Sequence, residues 1–311
     1  MFTGANPSYT VAELEHHFKI SNAKFFVTEP TTAKNVRKAA QACGITKPSV
    51  WLFDEHLKAS ISGYSSWREL LIHGEADWIR FNDENTAKNT TAALLFSSGT
   101  TGLPKAVMIS HQNLVAQHTM FLGRNKRPYE VGSCPLHVNL ERIEKYSLLR
   151  QVSQLLFTPQ FHVGSLPFSH LAMLKEGFKT YHLRRFELEL YLRSVEQYNI
   201  TDILIVAAAL QVVVRSPLAN AKTFQSIRNV LTSGSPVALS TQEAFRGYLP
   251  PGTPVTQIFG MTEMTGYSCA LLWPEDDHTN SVGKLLPNLS ARYVCLIIRF
   301  RTILLRLCRD Y

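Results

Sequence analysis

The chain has 311 residues, a length that allows one large domain or two ordinary ones. An apolar fraction of 45% and a charged fraction of 18% exclude a disordered chain and predict a packed core. No uncharged apolar run reaches the roughly 18 residues of a transmembrane helix, and the first residues lack the pattern of a secretory signal. The five cysteines form no C-x-x-C pair, which argues against a disulfide framework or zinc site and indicates a reducing compartment.

The formal charge of +8 is concentrated in two stretches of the chain. Residues 124–150 carry six basic and three acidic side chains, and residues 288–311 carry five basic and one acidic side chain. The rest of the chain is nearly neutral and has no basic stripe with interleaved aromatic residues. Charge therefore predicts no nucleic-acid partner.

Short apolar runs alternate with helical patterns along most of the chain. The apolar runs predict strands at residues 23–28, 50–53, 92–96, 105–109, 202–206, 230–232 and 255–259. Helices are predicted at residues 32–42 with Thr31 or Thr32 as cap, at 67–73, from a Ser110 cap to about 122, at 187–198 and at 241–248. Strands that alternate with helices indicate an α/β fold with largely parallel sheets.

Two stretches depart from this alternation. Residues 132–152 have no clean period, and translated non-coding sequence such as a retained intron is one hypothesis for them. The tail, residues 293–311, alternates apolar residues with arginines. It reads either as a basic amphipathic membrane helix or as a chain end outside the fold, and we adopt the second interpretation.

The string L-F-S-S-G-T-T-G-L-P-K at residues 95–105 carries the clearest chemical signal. Its glycines let backbone N–H groups approach an anion, its hydroxyls add donors, and Lys105 supplies a positive charge. It is not a Walker A loop, because Ala106 follows the lysine. A generic Ser/Gly/Thr hairpin is the structural alternative. The whole string favours a phosphate-binding loop.

This string resembles the phosphate-binding signature of the adenylate-forming superfamily, which includes acyl-CoA synthetases, 4-coumarate–CoA ligases, luciferases and adenylation domains. Further resemblances follow in the family's order at residues 161–162 (FH), 232–237 (TSGSPV), 257–263 (QIFGMTE) and 281–288 (SVGKLLPN). Residues 5–14 (ANPSYTVAEL) resemble the corresponding stretch of fungal and plant members. The chain is most similar in character to fungal 4-coumarate–CoA-ligase-like proteins of secondary metabolism.

The resemblance implies an incomplete large N-terminal domain of this fold, with layered, largely parallel sheets flanked by helices. Residues 1–292 would form a partial adenylation domain, interrupted by an atypical insert at about 132–152 and followed by a non-family tail at 293–311. The family's first strands, its ribose-binding aspartate and its small C-terminal domain with a catalytic lysine have no counterpart in the sequence. Activity of this chain by itself is therefore an open question.

The implied reaction activates a small carboxylic acid with ATP and Mg²⁺ to an acyl-adenylate, and coenzyme A then accepts the acyl group as a thioester. The residues implied to hold the phosphates are Ser97, Ser98, Gly99, Thr100, Thr101, Gly102 and Lys105. Those implied to bind the nucleotide elsewhere are Gly234, Ser235, Gln257, Ile258, Phe259, Gly260 and Thr262. Lys105, Thr262 and Glu263 would act in catalysis, Glu263 would bind magnesium, and His162 would line the acyl pocket.

Several of these residues have a structural interpretation as well. Phe259 could be core, His162 a half-buried histidine, and Glu263 a surface carboxylate. Ile258 replaces a family glycine and could either crowd the adenine or merely move the backbone. His16 and His17 have no metal-ligand spacing and are interpreted as surface or core.

Two other functions stay open at this stage. One is an inactive remnant or nucleotide-binding pseudoenzyme, and the other is an adenylation module that serves a carrier protein. No specific protein partner is predicted. The expected location is cytoplasmic, or peroxisomal in a full-length form, because the chain ends in C-R-D-Y and not in the Ser-Lys-Leu signal.

Overall fold

The computed structural model describes residues 1–45, 49–53, 64–97, 103–125, 127, 152–294 and 304–306. The chain divides into two compact units, Met1–Gln112 and Asn113–Tyr311. Each unit has its own sheets and is described by itself below. Across the ranges given above, no helix is long and apolar enough to cross a membrane.

The first unit contains two three-stranded sheets. Its strands are β1 (Phe2–Thr3), β2 (Phe25–Thr28), β3 (Ser49–Leu52), β4 (Ser65–Ser66), β5 (Thr91–Ser97) and β6 (Lys105–Ser110). Its helices are α1 (Val11–Ser21), α2 (Pro30–Ala42), a 3₁₀ helix (Trp67–His73) and α3 (Glu84–Asn89), and α4 (His111–Gln117) begins at its end. Strands β2, β3 and β4 are parallel, whereas β5 pairs parallel with β1 and antiparallel with β6. The strands predicted in this region are confirmed.

Helix α1 begins with a reciprocal cap. The Thr10 hydroxyl accepts the N–H of Glu13 at 3.3 Å, and the Glu13 carboxylate accepts the N–H of Thr10 at 2.7 Å. Helix α2 begins differently, with Glu29 as the N-cap residue and Pro30 in the first turn. The prediction that Thr31 or Thr32 caps α2 is wrong, because a proline in the first turn starts the helix two residues earlier, at Pro30.

Helices α1 and α2 contribute to the core of the first unit. Their apolar faces contact the β2–β3 sheet through Phe18 and Val36, which cluster with Phe26 and Val50. The rings of Phe18 and Phe26 lie 4.6 Å apart. This packing fixes α1, whose histidines reach toward the β5–β6 hairpin.

The second unit is built around a five-stranded sheet, with smaller sheets beside it. Its strands are β7 (Ser153–Leu156), β8 (Lys179–His182), β9 (Asp202–Val206), β10 (Asn229–Ser233), β11 (Val255–Gln257), β12 (Phe259–Met261), β13 (Gly266–Ala270), β14 (Lys284–Leu285), β15 (Arg292–Val294) and β16 (Leu304–Arg306). Its helical segments are two π-helical turns (His118–Leu122 and Pro167–Ala172), a short turn (Met173–Lys175), α5 (Leu188–Gln197), α6 (Ala207–Arg215), α7 (Leu239–Arg246) and a 3₁₀ turn (Thr262–Met264).

The five-stranded sheet has the order β11-β10-β9-β7-β8, and all its strands are parallel. Central strand β9 has the bounds that its apolar run predicts. Ile203 and Ile205 pack into one apolar cluster with α5 and α6, while Leu204 packs into a second cluster on the other face. A strand buried on both faces reads as a continuous apolar run, which is typical of parallel sheets.

One sequence prediction needs correction in the second unit. The strand predicted at residues 255–259 is two strands, because β11 ends at Gln257 and Phe259 begins β12 in an antiparallel sheet. Val152, the last residue of the predicted insert, is buried, and its carbonyl accepts the N–H of Lys179 at 3.0 Å. Residues 132–151 lie outside the described residues. In the tail, β15 and β16 pair antiparallel with each other.

Candidate functional site

The predicted phosphate-binding string spans a β-hairpin of the first unit. Ser97, at the end of β5, pairs with Lys105, at the start of β6. Ser97 is half-buried, Lys105 is exposed, and within the described residues no ion pair reaches the Lys105 ammonium. The hairpin therefore places Ser97 and Lys105 at directly paired positions on neighbouring strands. Five other predicted phosphate contacts lie outside the described residues: Ser98, Gly99, Thr100, Thr101 and Gly102.

Two adjacent histidines of α1 support this hairpin. Nε2–H of His16 donates to the carbonyl of Pro104, the residue before the lysine, at 3.0 Å. His17 is 2% exposed, stacks on Phe96 with ring centroids 4.0 Å apart, and has its Nε2 3.0 Å from the Thr3 hydroxyl. Burial, and secondarily the neighbouring His16, lower the pKa of His17 to about 4, so this ring is neutral at pH 7. Residue spacing carried no signal of this supporting role.

The other predicted site residues lie in the second unit, along one edge of its parallel sheet. Strands β7, β10 and β11 end at Leu156, Ser233 and Gln257, and the carboxyl ends of parallel strands share an edge. Strand β8 follows β7 on one side of the sheet, whereas β9, β10 and β11 are added in turn on the other side. The order of strands therefore reverses between β7 and β9, and this position is a topological switch point. Ligands of open α/β sheets bind outside this edge.

The turn after β10 needs a glycine for conformational reasons. Gly234 has φ +88°, a backbone region that side-chain-bearing residues rarely adopt. A Cβ at this position would lie 3.6 Å from Cγ1 of Val206, an ordinary contact, so the need for glycine is not steric. Ser235 and Pro236 are exposed, and Val237 is fully buried. The turn therefore presents its backbone and the Ser235 hydroxyl at the sheet edge.

Gln257 lies beneath this turn. The side chain is 4% exposed, and its Oε1 accepts the N–H of Val237 at 2.8 Å. Its Nε2 donates to Oδ1 of Asn280 at 2.8 Å. The Gln257 amide therefore holds the turn in place, and its contact with a nucleotide stays a prediction.

Ile258 is a core residue. It is 5% exposed and packs in the cluster that contains Leu231 and Tyr267, while its N–H donates to the carbonyl of Thr232 at 2.9 Å. This burial assigns Ile258 to the core, and any effect of Ile258 on the adenine stays a prediction.

Phe259 and Gly260 begin the antiparallel sheet. Phe259 is half-buried, and its carbonyl accepts the Ser268 hydroxyl at 3.3 Å. A Cβ on Gly260 would lie 2.7 Å from the carbonyl carbon of Gly266 and 2.8 Å from Cα of Tyr267, both too close. Gly260 is thus required by the approach of β13, and Phe259 keeps part of its ring accessible.

Thr262 and Glu263 form a turn directly after β12. Thr262 is 7% exposed, and its carbonyl accepts the N–H of Thr265 at 3.0 Å. Glu263 is exposed, and no ion pair or hydrogen bond engages its carboxylate anywhere in the ranges that the structure describes. The turn therefore holds one buried hydroxyl-bearing residue beside one available carboxylate.

A magnesium ion carried by a nucleotide fits this donor set. Across the described residues, no group of three or more His, Cys, Asp or Glu side chains forms a cage for a metal. Mg²⁺ in nucleotide enzymes binds one or two carboxylates together with phosphate oxygens and water, and does not need such a cage. The single exposed carboxylate of Glu263 is a donor of this kind.

His162 lies in the turn after β7. The strand ends at Leu156, and the His162 N–H donates to the carbonyl of Pro159 at 3.0 Å. Its Nδ1 accepts the N–H of Gly164 at 3.0 Å, so the proton of the neutral ring lies on Nε2. His162 is exposed as a residue, yet partial burial of its ring lowers the pKa of the imidazole. The ring is therefore a neutral hydrogen-bond donor near the carboxyl edge of the sheet.

Tyr267 connects two parts of this edge and was missed in the sequence. Its hydroxyl donates to the carbonyl of Gly164 and also interacts with the Ser233 side chain. Its ring packs against Phe121 and Phe168, with centroids 5.2 Å and 5.9 Å away, and burial raises its pKa. Tyr267 therefore links the His162 turn to the end of β10.

Comparisons with known proteins agree on one family. The family model described as "AMP-binding enzyme" matches residues 1–294. A phenylacetyl-CoA ligase of Aspergillus niger is 35% identical over 302 residues, which are 94% of this chain and 51% of that protein. A nicotinic acid-CoA ligase of Penicillium canescens is 26% identical over 95% of this chain and 54% of its own length. The chain thus spans about half the length of the curated relatives it matches.

Solved structures share the fold. The luciferase-like enzyme of the mealworm Zophobas morio superposes with a TM-score of 0.73 at 20% identity and covers 99% of this chain and 67% of its own. A long-chain-fatty-acid-CoA ligase from Archaeoglobus fulgidus superposes with a TM-score of 0.72 at 21% identity, over 94% of this chain and 54% of its own.

Proposed function

Because this chain belongs to the AMP-binding enzyme family, we propose that it activates a small carboxylic acid with ATP and transfers the acyl group to coenzyme A. In the first step a carboxylate oxygen attacks the α-phosphorus of ATP, and the bond to pyrophosphate breaks. In the second step the sulfur of coenzyme A attacks the acyl carbon, and AMP leaves with the electron pair of the acyl–phosphate bond.

One observation carries this proposal. The glycine turn after β10, the half-buried Phe259 and the Thr262–Glu263 turn all follow strands at or beside the carboxyl edge of the parallel sheet. An exposed backbone turn and a partly accessible aromatic ring suit a purine base. A buried hydroxyl and a free carboxylate suit a phosphate and its magnesium ion.

In this proposal each group has a distinct chemical task. Thr262 contacts the α-phosphate where charge develops, and Lys105 and the hydroxyls of its hairpin hold the β- and γ-phosphates. Glu263 would hold magnesium, which when bound neutralises phosphate charge. Thr262, whose carbonyl accepts the N–H of Thr265, is held by its turn and would need little rearrangement during the reaction.

His162 is proposed to orient the acid. A neutral imidazole with its proton on Nε2 can donate to a carboxylate oxygen without pairing with it as a cation. The reacting oxygen would therefore keep its nucleophilicity. Relatives named for phenylacetate and nicotinate support a small, ring-bearing acid as the substrate class.

Acid-dependent exchange of labelled pyrophosphate into ATP tests the first step. Phenylacetate, nicotinate and a medium-chain fatty acid form the first panel, and AMP release on adding coenzyme A reports the second step. Glu263→Gln should lower exchange at least 100-fold, because it removes the charged donor to magnesium. Glu189→Gln, at another exposed glutamate of the second unit, is the matched control and should leave exchange unchanged.

The outcomes separate the alternatives. Binding of Mg-ATP without acid-dependent exchange would mean a nucleotide-binding protein without chemistry and would overturn the proposal. Exchange without thioester formation on coenzyme A would instead favour a carrier protein as acceptor. The chain spans about half the length of its curated relatives, so nucleotide binding without chemistry is the alternative to test first.

The domain boundaries are part of the same proposal. We infer that residues 1–292 form one adenylation domain and that an insert at about residues 132–152 interrupts it. A transcript without the codons for this stretch is expected, and the shortened protein should show exchange activity at least equal to that of the full chain. Finding only uninterrupted transcripts, together with a loss of folding on deletion, would contradict the inference.

A further inference from the structure

Three side-chain amides meet beneath the glycine turn that follows β10. They belong to Gln242 on α7, Gln257 at the end of β11, and Asn280, and we call them the amide cluster. Nε2 of Gln257 and Nε2 of Gln242 both donate to Oδ1 of Asn280, at 2.8 Å and 2.9 Å. A single oxygen thus ties together a helix, a strand and a loop.

The cluster holds both polar groups of one turn residue. Val237 donates its N–H to Oε1 of Gln257 at 2.8 Å, and its carbonyl accepts from Nε2 of Gln242 at 3.1 Å. Val237 and Gln242 are 0% exposed and Gln257 is 4% exposed. Buried polar groups that lose their partners are costly, so the cluster restricts the turn to one conformation.

The position of Asn280 is fixed independently of the two glutamines. Its backbone has φ +69°, which asparagine tolerates better than most residues. The preceding buried Asp277 accepts the N–H of Ser281 at 2.8 Å and the hydroxyl of Thr279 at 2.7 Å, which shapes the loop. Asn280 lies at the surface, with Oδ1 turned toward the glutamines.

We propose that Gln242 and Asn280 are positioning residues, which hold the turn at Gly234 in the conformation that binds the nucleotide. This proposal rests on the proposed function for its ligand. The exposed part of the turn can then offer its backbone to a base without an ordering step. Loss of the shared oxygen leaves Nε2 of Gln257 with only the longer hydrogen bond to the Asn280 carbonyl, at 3.4 Å, and so weakens the hold of Gln257 on the N–H of Val237.

The test compares three variants. Asn280→Gly removes the oxygen and keeps a residue suited to positive φ, and Asn280→Asp restores an oxygen acceptor. Asn199→Gly is the matched control, because Asn199 has φ +48°, is exposed and has no side-chain hydrogen bond within the described part of the chain. Two quantities are measured: hydrogen exchange of the Val237 amide without ligand, and the dissociation constant of Mg-ATP by calorimetry.

For Asn280→Gly we expect about tenfold faster exchange at Val237 and about tenfold weaker Mg-ATP binding. A tenfold change is the size expected from the loss of one or two ordinary hydrogen bonds. Asn280→Asp should recover most of the exchange protection, and Asn199→Gly should change neither quantity. Unchanged exchange or unchanged ATP affinity in Asn280→Gly would overturn the proposal.

Failure of the proposed function has a different signature. If the unmodified protein binds no Mg-ATP, the nucleotide function fails and this positioning role fails with it. If the unmodified protein binds Mg-ATP but Asn280→Gly binds it equally well, only the positioning role fails.

Discussion

The substitution Ile258→Ala separates two interpretations of the residue that replaces a family glycine. If Ile258 crowded the nucleotide, a smaller side chain would tighten Mg-ATP binding. The structure instead buries it to 5% exposure in the cluster with Leu231 and Tyr267. Alanine removes three buried carbons, about 2.5 kcal/mol at ~0.8 kcal/mol per buried methylene. Incomplete collapse of the cavity extends the expected loss to about 2–5 kcal/mol.

Urea unfolding followed by fluorescence measures this loss, and calorimetry measures Mg-ATP affinity in the same samples. Leu218→Ala is the matched control, because it also removes three carbons but from a side chain that is 50% exposed. The control should change the free energy of unfolding by less than about 0.5 kcal/mol. Tighter ATP binding by Ile258→Ala, with no loss of stability, would refute the assignment of Ile258 to the core.

Three further substitutions test contacts that support the site. His16→Ala removes the hydrogen bond to the Pro104 carbonyl and should lower the free energy of unfolding by about 1 kcal/mol in urea. The free energy of unfolding of the wild-type protein should fall by up to about 3 kcal/mol as pH falls from 6.5 toward 4, because the folded state resists protonation of His17. In His17→Gln, unfolding curves at pH 7 and pH 4.5 should differ less than those of the wild type. Tyr267→Phe leaves the buried Gly164 carbonyl without its donor and should cost about 1–3 kcal/mol in the same assay.

Controls make these outcomes specific. His73→Ala, at an exposed histidine of the first unit, should leave stability within about 0.5 kcal/mol of wild type. An unchanged stability in His16→Ala would mean that its hydrogen bond adds nothing to the folded state. An identical pH slope in His17→Gln would assign the acid sensitivity to other groups. For Tyr267, equal stability of wild type and phenylalanine variant would contradict the bridging role of the hydroxyl.

Much of the fold could be read from local sequence patterns. The run D-I-L-I-V predicts β9 with its observed bounds, because a strand buried on both faces has a continuous apolar run with few other interpretations. The bounds of α5 were predicted to within one residue at each end. The start of α2 was missed, since Pro30 in the first turn outweighed the threonines that follow it.

For the candidate site, the sequence predicts the residues but not the directions of their side chains. The motif strings predict which residues belong to it, because glycine, hydroxyl and carboxylate residues at fixed spacing are a property of the chain. They do not show which way a side chain points. Gln257 and Ile258 are neighbours in one string, yet the Gln257 amide holds a turn and the Ile258 side chain packs in the core.

The sequence by itself determined the family resemblance and the alternation of strands and helices, and it supplied the candidate residues at 97–105 and 262–263. Only the tertiary structure decided that His16 reaches Pro104, 88 residues away, and that Tyr267 reaches Gly164, 103 residues away. Local periodicity records whether a residue faces a core, because burial recurs with the period of the helix or strand. It cannot record which distant partner completes a hydrogen bond, because that choice depends on how separate elements pack.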